Sequence, residues 1–103
     1  MSKRLDMVEA AISKGTKDPF VWYARAMELR SLERLPEAIA AYGDVRERFP
    51  DYVPTYLMAG QVCAQTGDVD SARDWLQAGI LVAQKGGDSH AVSELEALLG
   101  TLD

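Results

Sequence analysis

The chain has one cysteine, Cys63, and one histidine, His90. These are the side chains most often used as nucleophile, general base or soft metal ligand. One cysteine excludes an intrachain disulfide framework, and without a His/Cys cluster there is no metal-ligand spacing to find. No apolar run approaches the roughly 20 residues of a membrane span. The start, Met1-Ser2-Lys3-Arg4-Leu5-Asp6, is basic but is not followed by an apolar stretch, because Asp6 and Glu9 interrupt it; no secretory signal is read there. Basic excess is missing as well: the formal charge is −5, so no affinity for nucleic acid or an anionic membrane is expected. Gly86-Gly87 is not followed by Lys-Ser/Thr and reads as a linker rather than a phosphate loop. No segment sustains the period-2 alternation of a strand. These absences point to a cytoplasmic, all-α chain without cofactor, metal or catalytic centre.

What is present is ordinary for one folded domain. The 103 residues are 48% hydrophobic and 26% charged. Charge is unevenly spread: residues 1–17 carry four basic and two acidic groups, and residues 88–103 carry four acidic groups and no Lys or Arg. That asymmetry permits head-to-tail contacts between copies and is equally well explained as a solvated surface. Most other carboxylates alternate with arginine, as in Asp44, Arg46, Glu47 and Arg48, which fits exposed helix faces. Pro19, Pro36 and Pro54 each fit the first turn of a helix, where a missing N–H costs nothing. Asp18 is a suitable N-cap. Gly67-Asp68 breaks the chain between two helical segments, and Glu33-Arg34-Leu35 does so less abruptly. A helix over about 4–14 carries Leu5, Val8 and Ile12 on one face and stops at Lys14-Gly15. Another over 88–101 carries Ala91, Val92, Leu95, Leu98, Leu99 and Leu102, with Asp88 or Ser89 to cap it.

Between these flanks the sequence repeats with a period of 34. Trp22 pairs with Tyr56, Ala26 with Gly60, Leu29 with Cys63, Ala38 with Ala72, and Tyr42 with Leu76. Across 19–52 only the Ala38/Ala72 pair is identical, so what repeats is size class, which is what packing selects. Small residues belong where paired helices approach closely, and Trp22 and Tyr42 fill the space beside them. Cys63 falls in a medium apolar slot and reads as a buried small hydrophobe. His90 falls in the first turn of the last helix, a poor place for a stable positive charge.

The series Trp22-x2-Arg25-Ala26-x2-Leu29, Ala38-x3-Tyr42 and Pro50, with its second copy Tyr56-x2-Ala59-Gly60-x2-Cys63 and Ala72-x3-Leu76, resembles the tetratricopeptide signature. It is similar to small two-repeat proteins of the bacterial type. Arg25 stands where the family usually has Leu, and Gln84 where it has the closing Pro. The resemblance implies a right-handed stack of antiparallel helix pairs, a TPR-like α-solenoid of about six helices. The whole chain, 1–103, then forms a single domain: N-terminal helix 4–14, repeat 1 at 19–52, repeat 2 at 53–86, and C-terminal capping helix 88–101.

The resemblance also implies a non-catalytic protein-binding or scaffold role, with a peptide or protein segment held in a concave groove lined by the first helix of each pair. Carried over position by position, that groove comprises Phe20, Tyr23, Met27, Arg30 and Ser31 in the first copy. In the second it comprises Leu57, Gln61, Ala64 and Gln65, with Tyr52 at the rim. Phe, Tyr and Met make an apolar, adaptable floor. The cluster of Lys, Asn and Arg with which some members clamp a C-terminal carboxylate is missing: Tyr23, Met27 and Met58 occupy those places. The alternative is a self-associating protein, a homodimer through the groove or through Leu95, Leu98, Leu99 and Leu102.

Overall fold

A computed structural model describes residues 2–102. They form six helices and no strand: α1 Lys3–Ser13, α2 Pro19–Ser31, α3 Leu35–Arg48, α4 Pro54–Gln65, α5 Val69–Lys85 and α6 Ser89–Leu99. The chain divides between Phe49 and Pro50 into two compact units. In the first, α2 packs mainly on α3 and also on α1; in the second, α5 packs on both α4 and α6.

Local chemistry sets the boundaries. Ser2, Asp18, Asp68 and Asp88 each accept a backbone N–H of the following first turn, at 2.9–3.1 Å, and α2, α3 and α4 carry proline in that turn. Asp68 also accepts from the Ser71 hydroxyl at 2.7 Å, and the Ser71 hydrogen bonds hold its carboxyl below the ordinary range. Four helices end in the same left-handed turn. Its apex is Gly15, Gly67 or Gly87, and in the first repeat Glu33 at φ 60°. Glu33 N–H donates to Arg30 and Arg34 N–H to Leu29, the pattern that Gly67 and Asp68 make with Ala64 and Cys63. The Glu33 turn is therefore as abrupt as the glycine one.

Helices α3 and α5 start at equivalent positions, 35 and 69, but α5 runs three residues further because Gln84 stands where Pro50 stops the first. Pro50 has a further use: its carbonyl accepts the Tyr56 hydroxyl at 2.5 Å.

Each unit builds its own core from the repeated size classes. In the first, Ala26, Ala38, Tyr42 and Val45 are fully buried. Trp22 packs edge-on against Phe49, donates its indole N–H to the Thr16 carbonyl at 3.1 Å, and lies under the Arg48 guanidinium at 4.3 Å. In the second, Tyr56, Ala59, Gly60 and Cys63 present one face of α4, and Ala72, Trp75, Leu76, Gly79 and Ala83 one face of α5. A Cβ on Gly60 would lie 2.6 Å from Leu76 Cδ2, and one on Gly79 would lie 2.5 Å from Tyr56 Cβ. Leu76 and Tyr56 fill those places. Arg25, the departure from the repeat pattern, lies between helices: its guanidinium is 3.5 Å from Glu9 of α1 and 3.3 Å from Asp44 of α3.

Candidate functional site

In the first unit, Phe20, Tyr23, Met27 and Ser31 line one depression of about 380 Å³ on α2. The i, i+3, i+7 and i+11 spacing turns them to one side of the helix. Phe20 is 60% exposed, and Met27 is exposed at its edge. The buried Tyr42 hydroxyl donates to Met27 Sδ at 3.1 Å and fixes the thioether from below. Tyr23 stands between Phe20 and Tyr42, with ring centroids 6.5 and 6.2 Å away. Burial, with Tyr23 beside it, pushes the Tyr42 hydroxyl up to about 12, so it is a neutral donor at any ordinary pH. Arg30 also lies on α2 but hydrogen-bonds Tyr42 rather than lining the depression.

The rim of this depression is polar and already paired. Glu28 accepts the Ser2 hydroxyl at 2.7 Å and lies 3.6 Å from Arg4 Nη1. Both partners come from the start of α1, so the N-terminal helix borders the depression and leaves Phe20 and Met27 uncovered.

In the second unit, Leu57 lines two depressions along α4. One, of about 290 Å³, lies between the first turns of α4 and α6, with Val53, Pro54, Met58, Ala91 and Leu95 around it. The other, of about 380 Å³, combines Leu57 and Gln61 with Glu94 and Leu98. Gln65 lines neither; it is exposed at the end of α4, while Ala64 and Tyr52 are half-buried.

Helix α6 is thus a wall of the site. The offset of 34 that relates Tyr23 to Leu57 leads on to Ala91, and the one that relates Met27 to Gln61 leads on to Leu95. The expected self-association stripe needs a correction on the same ground. Leu95 is 1% exposed and contacts the Gly79 position of α5, so it is spent on its own core. Leu98, Leu99 and Leu102 stay half-exposed.

Of the two reactive side chains the sequence offers, one is withdrawn from these surfaces and the other lines the cleft between α4 and α6. Cys63 is buried, and burial, with Asp68 adding to it, pushes its thiol up. His90 is exposed on α6, its Nε2 3.3 Å from Glu94 Oε1. Among the described residues no group of three His, Cys, Asp or Glu side chains is placed to hold a metal ion, and no helix is long and apolar enough to cross a membrane.

The tetratricopeptide repeat family model matches residues 23–89, about two thirds of the sequence. The chain belongs to the tetratricopeptide repeat family. A tetratricopeptide repeat domain protein from Salinibacter ruber, solved in solution, is 34% identical, with a TM-score of 0.76 over 80% of this chain and 83% of that one. The TPR2B domain of yeast Sti1, solved in a complex with pHsp70, is 22% identical, with a TM-score of 0.84 over 92% of this chain and 76% of that one. PcrH, solved in complex with the chaperone binding region of PopD, is 15% identical, with a TM-score of 0.85 over 93% of this chain and 73% of that one. At these lower identities the likeness is one of fold. No curated protein sequence matches the chain.

Proposed function

We propose that this tetratricopeptide repeat protein is a non-catalytic binding module for a peptide or protein segment, with one binding surface on α2 and another on α4. The observation that carries the reading is the exposure of Phe20 and Met27 around Tyr23, on a helix whose opposite face is fully spent on the core. Two large apolar side chains left in water on a rigid, pre-formed surface are what a partner's apolar residues would cover. Leu57 and Gln61 supply the equivalent surface on α4. The pHsp70 complex of the Sti1 domain and the complex of PcrH with a region of PopD support a binding role for the fold.

The Tyr23→Ala/Met27→Ala double variant tests this reading. Partner capture from the native host drops by at least about tenfold, the loss of roughly 1.4 kcal/mol or more that removing anchor residues brings, while the helical circular dichroism persists. Unchanged capture by a folded double variant contradicts it. Association of two copies through Leu98, Leu99 and Leu102 is the competing reading, and sedimentation of a monomer at high concentration removes it.

A further inference from the structure

The two units differ in charge. Residues 50–103 carry eight Asp or Glu against Arg73 and Lys85, a net −6, whereas residues 1–49 carry nine Lys or Arg against eight Asp or Glu. Both cations of the second unit lie on α5, and Arg73 is 3.4 Å from Asp70. Neither borders the cleft between α4 and α6. That cleft has an apolar floor of Val53, Pro54, Leu57 and Leu95, and its α6 wall presents Asp88, His90 and Glu94. Asp88 is occupied as the cap of α6, accepting the Ala91 N–H at 3.0 Å. The Glu94 side chain is about half exposed and, among the described residues, has the His90 imidazole, 3.3 Å away, as its ion-pair neighbour.

We infer that this cleft takes a cationic amphipathic segment of a partner protein, seating an apolar side chain beside Leu57 and Ala91 and placing an adjacent Lys or Arg against Glu94. The inference rests on the proposed binding role and adds the chemistry of the partner. A volume of about 290 Å³ is at the small end for a ligand cavity, enough for a side chain or two rather than a whole small molecule. Burial of that side chain supplies attraction without regard to charge. The net −6 of residues 50–103, with Asp88 and Glu94 at the cleft itself, selects the sign, drawing in cationic segments and setting like charge against an acidic one. A second copy of this chain offers its basic α1. On that helix Leu5 is buried in its own core, but Met7 is 72% exposed one turn from Lys3 and Arg4, so a second copy is the competing occupant that the mass measurement below separates.

Three synthetic peptides of equal length and leucine spacing, carrying lysine, glutamine or glutamate between the leucines, test this by amide chemical-shift titration. The lysine peptide shifts Leu57, Ala91 and Glu94 and binds tightest, more weakly as salt rises. Its affinity falls roughly three- to tenfold in Glu94→Gln, and much less in Glu96→Gln, which makes the same charge change outside the cleft. If the glutamine or glutamate peptide shifts the same amides as strongly, the charge assignment is overturned while the binding role stands. Equal losses in both variants overturn the specific pairing with Glu94 and leave only a diffuse field. A cleft untouched by all three peptides overturns the docking assignment, and a Glu94-dependent, concentration-dependent mass without peptide assigns the cleft to a second copy.

Discussion

At the scale of single residues, two buried hydroxyls behave oppositely. Tyr42 is fully buried and finishes its hydrogen bonding on Met27 and Arg30. Thr55 is equally buried, and its Oγ1 has no partner among the described residues. An unsatisfied buried hydroxyl costs about 1–3 kcal/mol, and valine has nearly the same shape. Thr55→Val is therefore expected to raise stability by about 1 kcal/mol in urea titrations, where most core changes lower it. Tyr42 imposes a pH limit. Its folded value, about 12, lies above the unfolded value of 10, so its contribution is complete below pH 10 and is lost as pH rises toward 12. Stability measured by urea melts across that window falls more steeply for the wild type than for Tyr42→Phe. Equal slopes would mean that the hydroxyl titrates as it does in water.

At the scale of elements, small residues decide how closely helices pack. Gly79 is the most constrained of them, because an added Cβ meets the rigid Cβ of Tyr56 at 2.5 Å and Leu95 Cδ2 at 3.1 Å. Gly79→Ala gains helix propensity of up to about 1 kcal/mol, yet overpacking costs about 1–3 kcal/mol, so thermal unfolding moves to lower temperature. Gly43→Ala in α3, where nothing lies within 4 Å, is expected to move it upward instead. Both glycines are helical, and only the environment separates them. That is also why the 34-residue offset exposed Ala26, Gly60, Ala38 and Ala72 but passed over Gly79: its counterpart in the first copy is Val45, so no size class repeats there. The helix starts were legible from Asp18, Pro19, Pro54 and Asp88, since caps and prolines act within one turn. The burial of Leu95 was not, because it reads in sequence as one more member of an apolar stripe, and only packing shows that it is spent on α5. Arg25 belongs to the same class. Its ion pairs with Glu9 and Asp44 join residues 16 and 19 positions away, beyond the reach of a periodic pattern.

At the scale of the whole molecule, each unit is a short stretch of a repeat array that buries one face of every helix and leaves another to the outside. Phe20 and Met27 in the first unit, and Leu57 in the second, lie on first helices of their pairs; Leu81, 68% exposed, lies on α5, a second helix. Apolar exposure alone therefore does not single out the binding surface, and the position of the partner does. Photo-crosslinking in the native host, with a benzophenone amino acid placed at Phe20, Leu57 or Leu81 in turn, measures it directly. A shared crosslinked partner is expected from positions 20 and 57 and none from position 81; a partner captured from position 81 alone would contradict binding through α2 and α4.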